Sequence, residues 1–464
     1  MNTRTVQQGL AIGGAVLTAW LGSPRLNAQS ADALIDKLVD KGILTVKEAN
    51  DLREESDKGF GQAYQVKSGM SDWVTALKIN GDFRGRYESF FADNPAFSDR
   101  NRWRYRVRLG VTAVIKDNFE VGVRLGSGDI DNAAGLRSGS DPISNNQTLQ
   151  NNAAKKGVFL DLVYGKWTPI NSGDWQASIT AGKMENPFVF PSLVFDRDYT
   201  PEGAAQQVVY NLNAKHALLF NLGEFVLDEI GSSSSDPFLL GGQALLASTW
   251  SPHVSSAISA SYLSIFHQDS LPGSGVPDIG AGNDRTVLLD STGRYAGLGA
   301  PTTAFGTLVA DASLTYSLES FPLYNQAFPI RVGGTFLQNL RADDANLGYE
   351  VGITFGKAGK KGTWEIGYAW RSLEGDAWWE ELTESDFGAF YQNAPAATLA
   401  TARNAGGGYW SGSNVKGHIV KASYSPLDPV LLTVAWYATD LIEPYLPDSD
   451  SHMNRLQVDA VLKF

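Results

Sequence analysis

Leu456-Gln457-Val458-Asp459-Ala460-Val461-Leu462-Lys463-Phe464, the last nine residues of the chain, decide the fold. Read back from Phe464 in steps of two, Leu462, Ala460, Val458 and Leu456 share one face. Lys463, Val461, Asp459, Gln457 and Arg455 share the other. A period of two with one apolar face is a β-strand whose apolar side meets either a second sheet or lipid.

The same period returns along most of the sequence. Leu77, Ile79, Phe83 and Tyr87 alternate with Lys78, Asn80, Asp82, Arg84, Arg86 and Glu88. Trp103, Tyr105, Val107, Leu109 and Val111 alternate with Arg102, Arg104, Arg106 and Arg108. Alternation does not separate a soluble sandwich from a membrane barrel, but connection lengths do. Short turns at 116–118, 169–174, 213–215, 251–253, 320–328, 357–362 and 426–429 alternate with mostly longer polar excursions. These fall at 92–101, 131–156, 183–201, 232–236, 267–301, 341–347, 375–414 and 444–451. Brief turns at one end and longer loops at the other are the asymmetry of an outer-membrane barrel. Seven turns and eight loops predict an all-β, antiparallel transmembrane β-barrel of about 16 strands over 75–464, with both ends on the turn side.

The N-terminus agrees. Arg4, an apolar run from Leu10 to Leu21 and Leu26-Asn27-Ala28 read as a cleaved signal peptide over 1–28. Residues 29–74 read as a periplasmic helical hairpin and linker: Leu34, Leu38 and Val39 share a helical face, Gly42 can end that helix, and Thr45-Val46-Lys47-Glu48 is a capping box for a second. Without the leader, 36 basic stand against 50 acidic residues, a net charge of −14, and there is no cysteine. An acidic chain of this kind is not built for nucleic acid. The 48 glycines, 11% aromatic residues and negative mean hydropathy suit a barrel with a wet lumen and aromatic interfaces. The stretch Pro237 to Gln268 is long enough for a membrane helix, but Gly241-Gly242 and Ser251-Pro252-His253 divide it into two strands. Trp103, Tyr164, Trp250, Trp364, Trp370 and Trp436 are expected in the interfacial girdles.

The segment Gly182-Lys183-Met184-Glu185-Asn186-Pro187-Phe188, followed by Leu193-Val194-Phe195-Asp196-Arg197-Asp198-Tyr199-Thr200-Pro201-Glu202-Gly203, resembles a motif of the putative porin family of Gram-negative outer membranes. The resemblance implies one barrel to the C-terminus, reached through an exported precursor. The terminal Phe464 resembles the signal read by the barrel-assembly machinery. The architecture is also similar to general porins, which implies a homotrimer and a third long loop that folds inward and narrows the channel. Lys183, Glu185, Asp196, Arg197, Asp198 and Glu202 would then form the constriction loop, its carboxylates facing the wall arginines across a narrow pore.

Arg102, Arg104, Arg106 and Arg108, beside Arg84 and Arg86, form a ladder of about 20 Å, since alternate residues of a strand lie roughly 6.6 to 6.8 Å apart. With Arg124 these are the expected pore-lining residues. Forked guanidinium hydrogen bonds suit phosphate or carboxylate, so an anion-preferring channel is one reading. The other is that Asp82, Glu88, Glu120, Asp161 and loop carboxylates neutralise the ladder, leaving a passive channel for small hydrophilic solutes and ions. A structural or adhesive barrel without an open pore is a third. The five histidines have no ligand spacing, so no metal or cofactor is expected, and no nucleophile with a histidine partner suggests an enzyme. Asp376, Glu380, Glu381, Glu384 and Asp386 read as a solvated or lipopolysaccharide-facing outer loop.

Overall fold

The computed structural model describes residues 71–93, 99–129, 141–231, 233–271, 281–293, 295–388, 391–392, 408–409, 412–443 and 450–464. The signal peptide and nearly all of the expected helical segment lie outside these residues. The chain divides into a unit Met1–Ala76 and a unit Leu77–Phe464, the second holding the barrel.

Sixteen antiparallel strands close into one barrel. They are β1 Val74–Ala92, β2 Arg100–Ile115, β3 Phe119–Gly128, β4 Gly157–Ser172, β5 Trp175–Lys183, β6 Glu202–Asn213, β7 His216–Val226 and β8 Phe238–Ser251. There follow β9 Val254–Phe266, β10 Gly306–Leu318, β11 Phe328–Asn339, β12 Leu347–Gly356, β13 Thr363–Leu373, β14 Val415–Leu427, β15 Val430–Leu441 and β16 Met453–Lys463. Each pairs with its neighbour in sequence, and β16 returns to β1 in a register running from Asp82↔Lys463 to Ala92↔Met453. Closure removes the edge that an open sheet would expose. The expected turns and loops fall between these strands, although β4 runs on to Ser172 and narrows the 169–174 turn to 173–174.

The two faces follow the alternation. Phe83, Trp103, Val107, Leu109, Val121, Val123, Val351, Ile366 and Val458 are exposed on the outside, whereas Asp82, Arg84, Arg86, Glu88 and Arg106 are buried inside. An apolar exterior that would be costly in water is the face a bilayer covers. Tyr164 departs from the girdle expectation. A register shift between Arg124↔Leu162 and Leu125↔Leu160 moves the outward positions of β4 from Val158 and Leu160 to Val163 and Trp167. Tyr164 therefore turns inward, where its hydroxyl donates to Glu120 at 2.6 Å.

Phe464 closes the seam: Gly81 N–H donates to its carbonyl at 2.9 Å and its own N–H donates to the Gly81 carbonyl at 3.1 Å. The residue is 61% exposed, its ring lying over Gly81, so little packing is lost if it is removed. Deleting Phe464 is expected to lower the amount of folded protein in outer-membrane fractions while leaving the rest of the β1–β16 ladder intact. Unchanged levels at modest expression would count against its role as an assembly signal.

Candidate functional site: an arginine wall and two inward loops

Strands β1 and β2 bring their inward residues side by side, and every predicted pore-lining arginine meets a carboxylate. Arg102 bonds Glu88. Arg104 stands 3.9 Å from Glu88 and 3.8 Å from Asp129. Arg106 donates to Asp82 at 2.8 and 3.0 Å and to Asp198 at 2.8 and 3.0 Å. Arg108 donates to Asp82 at 2.7 Å and to Asp198 at 3.2 Å. Arg84 lies 3.9 Å from Asp198, and Arg86 grips Asp459 and Asp386. Arg124 bonds both Asp161 and Glu185.

The third long loop, 184–201, runs inside the barrel. It leaves β5 at Gly182 (φ 116°) and rejoins the wall at Gly203 (φ 151°). A Cβ at Gly182 would come within 2.3 Å of the Val163 carbonyl oxygen, and one at Gly203 within 2.0 Å of that of Glu224. Only glycine lets the chain pass so close to the neighbouring strands, which gives both ends of the resemblance motif a physical reason. Between them Leu193, Val194, Phe195 and Tyr199 are buried against Phe225, Leu239, Leu263, Ile265 and Val309 of the far wall. There Gln243 brackets Val189, its amide donating to the Val189 carbonyl and its carbonyl accepting from the Val189 N–H, both at 2.9 Å.

Asp198 is therefore seated on the arginine wall rather than across a gap from it, so the transverse field expected between loop and ladder gives way to direct ion pairs. Burial opposes ionisation of Asp198, but Arg106, Arg84 and Arg108 outweigh it and hold its carboxyl below the usual range. Asp196 faces the other way. It accepts from the N–H groups of Asp198 at 2.8 Å and Ser385 at 3.1 Å. Burial, then the charge of Asp198, pushes its carboxyl well above the usual range. Arg197 between them is exposed. Lys183 and Glu202 stand apart from this group. They pair with each other at 3.1 Å in the outward register of Val163 and Val226, because the β5 and β6 alternation continues to their ends.

A second inward loop went unread in the sequence. Residues 375–388 form no solvated outer loop: Asp376, Glu380 and Glu381 are at most 4% exposed and Trp378 is fully buried in the same apolar cluster as Phe195. Asp386 accepts from Arg86 at 3.0 Å and from Arg455 at 2.9 Å, while Glu384 accepts from Arg371 at 2.8 Å. Asn146, from the loop after β3, also reaches in to accept from Arg84 at 2.6 Å. Arg371 and Arg455 occupied the inward phase of their strands and could have been added to the ladder, whereas nothing local marks the loop partners. Among the described residues no group of side chains could hold a metal ion.

A closed barrel with an apolar exterior, a charged interior and inward loops is a porin-type transmembrane β-barrel. Residues 94–266 match the model of the family described as putative porin, a stretch that contains the 182–203 segment. OprB of Pseudomonas putida, solved at high pH, is similar in fold at 10% identity and a TM-score of 0.50, over 88% of this chain and 96% of that one. OmpF of Salmonella typhi, solved with daunomycin, gives 10% identity and a TM-score of 0.44 over 84% and 97%. A triple mutant of the Rhodopseudomonas blastica porin gives 9% and 0.39 over 84% and 100%. No curated protein matches the chain by sequence. The porin match and the porin-like barrel indicate a Gram-negative outer membrane.

Proposed function

We propose that the protein is an outer-membrane porin through which small hydrophilic solutes and ions diffuse passively, narrowed by its third long loop. The observation that carries this reading is the course of 184–201, held on the arginine wall through Asp198 and on the opposite wall through Val189 and Gln243. Below the loop the wall of β7 to β10 is small and polar: a cleft of about 360 Å³ near the turns is lined by Ala217, Ala247, Ser255, Ala257, Ser313 and Thr315 among others. The carboxylates within 4 Å of each predicted arginine favour weak ion selectivity over an anion path, although Arg84 and Arg104 hydrogen-bond Asn146 rather than a carboxylate and each keeps a buried Nε without a partner. The reading also includes export through a cleaved signal peptide, folding by the barrel-assembly machinery, a lipid and lipopolysaccharide surround and trimeric assembly, and it involves no catalytic step or cofactor.

Liposome swelling tests it. Proteoliposomes should swell in small sugars at a rate that falls steeply with solute size. Swelling no faster than protein-free liposomes with every solute would overturn the reading.

Asp196 adds a pH dependence. A carboxyl whose folded pKa is raised stabilises the fold below the ordinary carboxylate range and loses that contribution as pH rises through its raised value. Asp198 and Asp386, both depressed, keep their charge and their arginine contacts until pH falls below the ordinary range. The loops should therefore loosen as pH rises above the ordinary carboxylate range, once Asp196 ionises beside Asp198, Asp386 and Glu384. Conductance is expected to rise as pH climbs above the ordinary carboxylate range in the native protein and to stay level in Asp196→Asn. Equal profiles would remove Asp196 from the account.

A further inference from the structure

We propose that loop 375–388 is the second half of the constriction, bonded to the third loop along one seam and latched to the arginine wall by Asp386. The inference rests on the channel reading above and extends it from one loop to two.

The seam is continuous. Trp378 donates its indole N–H to the Val194 carbonyl at 2.9 Å, and the Asp196 N–H donates to the Leu382 carbonyl at 2.7 Å. Ser192 donates its hydroxyl to Glu384 at 2.6 Å, and Glu384 returns its own N–H to the Ser192 carbonyl at 3.2 Å. The Trp378 ring meets Phe195 edge-on at 6.0 Å. With the Ser385 N–H bond to Asp196, five hydrogen bonds and a shared apolar cluster tie the two loops together.

The loop is also anchored at three places on the barrel interior. Arg371 of β13 holds Glu384. Further round the same wall Arg86 of β1 and Arg455 of β16 hold the Asp386 carboxylate, and Arg455 donates as well to the Ser385 and Asp386 carbonyls at 3.0 and 2.9 Å. The third anchor is the loop between β9 and β10. There Asn283 donates to the Gly375 and Trp378 carbonyls at 2.6 and 2.8 Å, and Arg285 donates to Glu380 at 2.7 Å, with both charged side chains wholly buried. A surface loop does not need a buried ion pair to hold it. Here the buried Arg285–Glu380 pair fixes the loop in place, because losing either partner would leave an uncompensated buried charge.

The third loop grips the wall through Asp198 and this loop through Asp386, so the two carboxylates restrain one body. Loss of either should relax the same constriction. Single-channel conductance of the full-length protein in planar bilayers is the readout, with heat-modifiable migration on a gel showing that each variant is folded. Asp386→Asn is expected to raise conductance, as is Asp198→Asn, and the double variant should fall short of the sum of the two increments, as coupled sites do. Trp378→Phe keeps the ring but removes the bond to Val194, and should give a smaller rise should Asp386→Asn fold poorly. Folded Asp386→Asn and Trp378→Phe channels that conduct as the native one, or increments that simply add, would overturn the two-loop constriction. A silent native protein that Asp386→Asn opens would retire the open-channel reading and leave the two-loop element standing. Silence in the native protein and every variant would overturn both.

Discussion

Replacing Arg106 and Arg108 together by glutamine is expected to turn the channel toward cations. The pair supplies all the close cationic contacts of Asp82 and Asp198, leaving only Arg84, at 3.9 Å from Asp198. Two carboxylates then face the lumen with one distant guanidinium between them. A unit charge at about 4 Å is worth about 1 kcal/mol even in water, and about 1 kcal/mol of altered ion energy changes a permeability ratio roughly fivefold. The effect should fade in concentrated salt, where the screening length drops to about 3 Å at 1 M. Removing one side of buried ion pairs also costs about 3 to 5 kcal/mol, so urea should unfold the variant earlier. Reversal potentials in a salt gradient measure the first effect. No change in a conducting, folded variant would show that the ladder lies away from the ion path.

Asp198→Asn is expected to act in the opposite sense and on conductance as well. The carboxylate accepts from Arg106 and Arg108 and lies near Arg84, so its loss leaves Arg106 and Arg108 with Asp82 alone and takes the 3.9 Å contact from Arg84. Anions should gain, and the third loop loses its grip on the wall. Asp196→Asn should shift ion preference little at neutral pH, because Asp196 touches backbone and Ser385 rather than the ladder. The contrast between residues two apart on one loop is the discriminating part. Equal shifts from both would mean that loop charge acts at a distance rather than through these contacts.

The barrel was legible because period-two alternation and alternating connection lengths are local properties that a lipid face imposes on every strand. The arginine file was legible for the same reason: residues two apart must share a face. Its partners were not. Asp198 and Asp386 reach the ladder from 92 and 300 residues away in the chain, and no local pattern distinguishes a carboxylate aimed at a wall from one in water. The acidic run 376–386 looked solvated because its charges were visible, while Arg285, Asn283 and Arg371, which satisfy them, lie elsewhere. Tyr164 was misplaced by one bulged residue, and Lys183 and Glu202 because a loop boundary was set before the strand phase had run out.

A water-filled channel whose arginine wall is neutralised by carboxylates from strands and loops has a direct electrical signature. Single-channel recording of the purified native protein under a salt gradient tests it most directly. Discrete conductance steps are expected, with a reversal potential close to zero, the mark of weak selectivity. Strong anion selectivity would contradict the neutralised wall, and the absence of steps would contradict the channel.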